Sequence, residues 1–172
     1  MIWSKLKRSV EGLMASSVKE HLQLYYTHYG PGDSYHMVRA WITWDGEQID
    51  MFSNIQWWNT VRSLAAEISG DGEPREHYEY FDQAKDILEQ RGHYSCEHFL
   101  EALEQYVLLS IDDALRSPDV LIRAWSMFDK RLGKRRLHAM RFEQLERRFE
   151  QRWYQLRCQA EGIHNSGSEM EV

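Results

Sequence analysis

The stretch R-A-W-I-T-W-D-G-E-Q-I-D-M-F, residues 39–52, constrains the fold more than any other part of the chain. Asp45-Gly46 stands between two runs that alternate apolar and polar residues. This dipeptide suits a two-residue type I′ turn, which needs positive φ at both central positions and whose twist matches that of the flanking strands. A hairpin of His36 to Trp44 and Glu47 to Phe52 is therefore predicted. Its register places Ile42 opposite Ile49 and Ala40 opposite Met51, so that one face is apolar. The other face carries Arg39, Trp41, Thr43, Gln48 and Asp50. A strand over His21 to Tyr29, laid antiparallel alongside, adds Tyr25, Thr27 and Tyr29 to that face. The expectation is a three-stranded meander with one greasy and one aromatic, polar side.

Helical periodicity surrounds this core. Trp3, Leu6, Val10 and Leu13 or Met14 form the stripe of a first helix. After the hairpin, Ser53 with Gln56 three residues on is a capping box, opening a helix that carries Trp57, Trp58, Val61, Leu64, Ala65 and Ile68. Further helices are predicted over Glu76 to Gln90 and Cys96 to Arg116, with Phe81, Ala84, Leu88, Phe99, Leu103 and Ala114 inward. Ser117-Pro118-Asp119 supplies an N-cap, a first-turn proline and an acid. The seam it starts runs through Leu121, Trp125, Phe128 and Leu132. A last long helix through Phe142, Leu145, Phe149, Trp153 and Leu156 reaches about Ala160. The fold class is α+β in a single domain over 1–163, with an αβββα unit over 1–69 and a helical part of about four helices over 76–163. Residues 164–172 are predicted to be a flexible polar tail.

The net charge of −6 is uneven. Glu67 to Asp113 holds 13 acidic and 3 basic residues, and Asp129 to Arg157 holds 4 acidic and 10 basic. The two blocks either neutralise each other or meet an external partner. Cys96 and Cys158 are too few for a disulfide framework and read as thiols of a reducing compartment. The N-terminal stretch M-I-W-S-K-L-K-R-S-V has no apolar signal-peptide core, and no later run is long enough to span a membrane, so a cytoplasmic protein is expected.

D-K-R-L-G-K-R-R-L, residues 129–137, poses a choice between a phosphate cradle and a helix boundary. A P-loop needs a glycine five positions before Gly133, where Phe128 stands, and a hydroxyl residue after the lysine, where Arg135 stands. A helix end, with Gly133 free to take positive φ, is the expectation. The cations Lys134, Arg141, Arg148 and Arg152 are placed along one flank of the final helix, as a solvated stripe or a phosphate-contacting edge. The order helix, three strands, helix is also that of a double-stranded RNA-binding module. Its second helix here begins S-N-I-Q-W-W-N-T, with no cation before Arg62, which argues against it.

Signatures of catalysis fail: there is no nucleophile elbow, zinc-binding His pair or dinucleotide loop. His93, Cys96 and His98, with Cys158 or His164, have zinc-type chemistry but not a zinc spacing, and Ser95 accounts for the neighbourhood by capping the next helix. No metal, no cofactor and no catalysis are expected.

Three segments resemble a family of small uncharacterised bacterial cytoplasmic proteins: W-S-K-L-K at Trp3 to Lys7, R-A-W-I-T-W-D-G at Arg39 to Gly46, and S-P-D-V-L-I-R-A through D-K-R-L-G-K-R-R-L at Ser117 to Leu137. The resemblance implies a bacterial, cytoplasmic setting and no assigned activity. The function expected from the residues is non-catalytic binding of another protein, in the manner of an immunity or adaptor protein, through the face bearing Tyr25, Tyr29, Arg39, Trp41 and Asp50. The alternative is nucleic-acid binding through the basic stripe.

Overall fold

A computed structural model describes residues 2–29, 37–70, 78–140, 145 and 148–163. The order of elements is α1 (Trp3–Leu13), α2 (Ser16–Lys19), β1 (Leu22–His28), β2 (Val38–Trp44), β3 (Glu47–Ser53), α3 (Asn54–Ser69), α4 (Tyr78–Gln90), α5 (Cys96–Tyr106), α6 (Ile111–Leu115), α7 (Val120–Met127), α8 (Lys134–Ala139) and α9 (Arg148–Glu161). The fold is α+β, with one sheet in the order β1-β2-β3. No helix among the described residues is long and apolar enough to cross a membrane.

The turn at Asp45-Gly46 has φ of 52° and 85°, both in the left-handed region that a type I′ hairpin requires. Two backbone hydrogen bonds set the register of β1 on β2. Asp45 N–H donates to His21 C=O at 3.0 Å, and Tyr29 N–H donates to Met37 C=O at 2.9 Å. Tyr25 therefore faces Trp41, Thr27 faces Arg39 and Tyr29 faces Met37, all on one side of the sheet. Leu22, Leu24, Val38, Ala40 and Ile42 are buried. On β3 the alternation is looser, since Phe52 is buried while Ile49 and Met51 are only partly so.

The chain forms two compact units. The first comprises residues 1–23, 43–47 and 101–172, the second 24–42 and 48–100. In the second unit α3 packs on α4 around Trp57, Val61, Ala65, Ala84 and Leu88. The Ser53 hydroxyl accepts from Gln56 N–H at 3.5 Å to cap α3. Phe52 stacks on Phe99 with centroids 4.1 Å apart. Buried Asn54 accepts from Glu97 N–H at 3.2 Å, tying the start of α5 to the start of α3.

In the first unit α7 packs on α9, and the core is an aromatic cluster. Trp125 meets Trp153 edge-on at 4.8 Å, Phe128 stacks on Trp153 at 5.0 Å, and Trp44 reaches Phe128 at 6.1 Å. Rings in such offset and edge-on arrangements contribute beyond the area that they bury.

Four helix boundaries differ from those that periodicity predicts. The helix expected over 96–116 breaks after Tyr106, because the Ser110 hydroxyl accepts from Asp113 N–H and donates to its carboxylate at 2.6 Å, capping α6 afresh. Asp119, not Ser117, is the N-cap of α7. Its carboxylate accepts from Leu121 N–H at 2.7 Å and Ile122 N–H at 3.3 Å, a charged acceptor aimed at the positive end of the helix. Gly133 does not end a helix with positive φ. It is the extended N-cap of α8, with φ −65° and ψ 156°. The final helix is likewise two, since α8 stops at Met140, whose ψ of 137° is extended. Phe142 and the expected tail over 164–172 lie outside the described residues.

Candidate functional site

D-K-R-L-G-K-R-R-L proves to be a clamp. Asp129 is fully buried and collects donors from three directions. Tyr106 OH donates to its Oδ2 at 2.6 Å, Arg131 N–H to Oδ1 at 2.7 Å, and the Arg131 guanidinium to both oxygens at 2.6–3.0 Å. Arg131 also donates to Leu109 C=O at 2.8 Å. Burial, followed by the Asp129 charge, holds the Tyr106 phenol well above its ordinary pKa, so Tyr106 stays a donor. Lys130 N–H donates to Leu13 C=O at 2.8 Å, and its ammonium donates to Gly12 C=O at 2.7 Å. These bonds fasten the end of α1 to the turn after α7.

A second node closes the same unit. Glu161 accepts from Ser17 OH at 2.7 Å, Lys134 Nζ at 2.7 Å and Arg157 at 2.9 Å. Desolvation pushes this carboxyl up, but the bonds from Lys134 and Ser17 and the Arg157 charge outweigh it and hold the pKa below the ordinary glutamate value. For Arg157 burial is the stronger influence, and its pKa is lowered.

The expected basic stripe is not a stripe on one helix. Lys134 lies on α8 and pairs with Glu161, while Arg152 is an exposed residue of α9. Arg141 and the side chain of Arg148 lie outside the described residues. Within the basic segment Arg131 pairs with Asp129, Lys134 and Arg157 pair with Glu161, Arg136 reaches Asp112 of the acid block at 2.6 Å, and Arg123, ahead of the segment, pairs with Glu150 at 2.8 Å.

The sheet face has a different character. Tyr25 stacks on Trp41 with centroids 5.0 Å apart and planes 7° from parallel. The Arg39 guanidinium lies over the Trp41 ring at 5.1 Å and donates to Gln48 Oε1 at 3.0 Å. Stacking of this kind holds a long side chain in place. Beyond it, Tyr29 and Met37 form a directly opposed pair. Tyr25, Tyr29 and Met37 are 36%, 51% and 40% exposed, and they are half of the large hydrophobics exposed among the described residues. Asp50, on β3, is half-buried. The structure thus brings Tyr25, Arg39 and Trp41 into mutual contact and sets Tyr29 in the same row, with Met37 as a member that the strand pattern alone does not single out.

Two further features escape periodicity altogether. His21 Nδ1 lies 2.6 Å from Asp45 Oδ1 and the ring stacks on Trp44, closing the tip of the hairpin. A cleft of about 540 Å³ in the first unit is lined by Leu115, Met127, Leu132 and Leu145 above the Arg123–Glu150 pair. Both depend on residues far apart in the chain, for which no local pattern exists.

Cys96 is buried and its thiol is pushed up to about 12, chiefly by desolvation, the opposite of an activated nucleophile. His98 Nδ1 lies 3.5 Å from Glu89 Oε1, and Ser95 caps α5 by accepting from His98 N–H at 3.0 Å. Among the described residues no group of three His, Cys, Asp or Glu side chains could hold a metal ion.

The model of one protein family, the SF0329 protein family, matches residues 2–158. No curated protein and no solved structure matches the chain.

Proposed function

We propose that this chain, which belongs to the SF0329 protein family, is a non-catalytic protein-binding protein whose contact surface is the strip of Tyr25, Tyr29, Met37, Arg39 and Trp41. One observation carries the reading: β1 and β2 line up large apolar side chains in register on a solvent-facing surface, with an arginine fixed among them. Aromatic residues, methionine and arginine are the types enriched at protein interfaces, and a pre-stacked pair loses little conformational freedom on binding. The buried thiols and the paired buried charges are spent on packing, which favours binding over catalysis for this chain. The setting that accords with the resemblance of its segments is the bacterial cytoplasm.

The test is a photo-crosslinking residue in place of Tyr29, expressed in the host. A discrete adduct with one protein is expected, lost on Trp41→Ala while the thermal midpoint of the free protein stays close to that of the parent. A strip that yields no adduct, or one that persists in Trp41→Ala, overturns the assignment.

A further inference from the structure

The cleft of about 540 Å³ in the first unit has a chemistry of its own. The end of α6, α7, α8 and the start of α9 contribute to its lining. Leu115, Met127, Leu132, Met140 and Leu145 give it apolar walls. A cleft of this size, apolar with a few polar groups, has the make-up of a small-molecule site. Two of the five side chains are methionines, which adapt readily to the shape of what they pack against.

The charged groups of the lining are three arginines and one glutamate. Arg123 and Glu150 satisfy each other. Arg123 Nε donates to Glu150 Oε1 at 2.8 Å and Nη2 to Oε2 at 3.3 Å, while Nη1 donates to Ser117 C=O at 2.7 Å and Pro118 C=O at 3.0 Å. This pair is a fixed and electrically neutral part of the wall. Arg116 and Arg136 are engaged far less. Each donates through Nη2 alone, to Asp113 at 3.5 Å and to Asp112 at 2.6 Å, and Nε and Nη1 of both have no acceptor among the described residues. The two aspartates are neighbours on α6 and are not part of the lining. Both ion pairs are exposed, and such pairs contribute little, so a second anion can join or replace the aspartate at small cost. Ser117 supplies another donor. It is only 8% exposed and lines the cleft. Its hydroxyl accepts from Asp119 N–H at 3.2 Å, and its own proton has no acceptor among the described residues. A buried donor of this kind calls for one.

The uncommitted side-chain groups of the cleft are thus donors, two of them cationic, beside apolar walls. The first unit carries 16 acidic and 16 basic residues, against 11 and 5 in the second, so its net charge does not repel an anion.

We infer that this cleft binds a small amphipathic anion, its carboxylate or phosphate held by Arg116, Arg136 and the Ser117 hydroxyl and its apolar body packed on Met127, Leu132, Met140 and Leu145. A guanidinium fork matches either headgroup with paired, charge-assisted hydrogen bonds. The inference is independent of the protein-binding reading, whose strip belongs to the other unit.

The probes are octanoate and octyl phosphate, with octylammonium and inorganic phosphate as their counterparts. The readout is the ¹³C-methyl resonances of Met127 and Met140 in the full chain, assigned through Met127→Leu and Met140→Leu, at physiological salt so that distant charges are screened. At least one octyl anion should shift both methyls saturably, with an affinity of about 1 mM or tighter, while Met37 of the second unit stays in place. The tighter of the two anions identifies the headgroup. Octylammonium, which lacks the negative charge, and inorganic phosphate, which lacks the apolar body, should leave both methyls unmoved at the same concentrations. The double variant Arg116→Gln with Arg136→Gln alters two exposed side chains and should keep the thermal midpoint close to that of the parent. It should weaken the better anion by about tenfold or more, as loss of charge-assisted bonds does. Methyls that respond to neither octyl anion overturn the inference. So do equal shifts with octylammonium or with inorganic phosphate, and so does a double variant that binds as the parent does.

Discussion

Asp129 shows at a single residue how this chain spends its polar groups. A fully buried carboxylate is costly unless donors replace the lost water, and here Tyr106 and Arg131 do so. Asp129→Ala removes the shared acceptor and leaves both partners facing a void. The expected loss is on the order of 3 kcal/mol, read as a shift of the urea midpoint. Tyr106→Phe should cost less, about 1 kcal/mol, because it removes one bond and strands no charge. Glu161 adds a pH dependence. Its folded-state pKa lies below the unfolded value, so it contributes stability above the ordinary glutamate pKa, and that contribution is lost as pH falls through the folded value. Equilibrium unfolding at descending pH should show this acid limb, and Glu161→Gln should flatten it while lowering stability at neutral pH.

At the scale of elements, two glycines make opposite demands. Gly46 holds φ of 85°, so Gly46→Val should destabilise the protein by about 1 kcal/mol or more through left-handed strain in a β-branched residue. Gly133 sits in extended backbone with no atom near the site of an added Cβ. Gly133→Ser should leave thermal stability unchanged or raise it by a few tenths of a kcal/mol, since serine is a good N-cap and glycine an adequate one. Sequence order alone places Gly133 at a helix end and cannot say which end. The hairpin was legible because Asp-Gly and strict alternation are local signals. So was α3, whose Ser53 cap and Trp57, Val61 and Ala65 stripe occur within one element. The breaks at Ser110 and Met140 were not, because apolar periodicity continues across them in the same phase. Ser110→Ala, which removes the cap of α6, should cost about 1 kcal/mol and checks that the break is real.

For the whole molecule, the division of charge matters more than its total. A chain described only as −6 suggests mild repulsion of polyanions. A neutral unit and one of −6, the second of which presents the strip, differ in the charged molecules that they attract. The alternation of β1 and β2 made Tyr25, Tyr29, Arg39 and Trp41 readable as one row. The stacking of Tyr25 on Trp41, the seating of Arg39 and the exposure of Met37 follow from tertiary placement and were not readable. The expected cationic stripe, by contrast, came from projecting α8 and α9 as one helix. The measurement that bears most directly on the central claim is hydroxyl-radical footprinting of this strip in host extract and in purified protein. Oxidation of Tyr25, Tyr29 and Met37 in the extract should fall several-fold, to the level of residues in an interface core, while Leu108, 82% exposed on the first unit, oxidises at the same rate in both. Equal rates for the strip in extract and in pure protein would contradict the account.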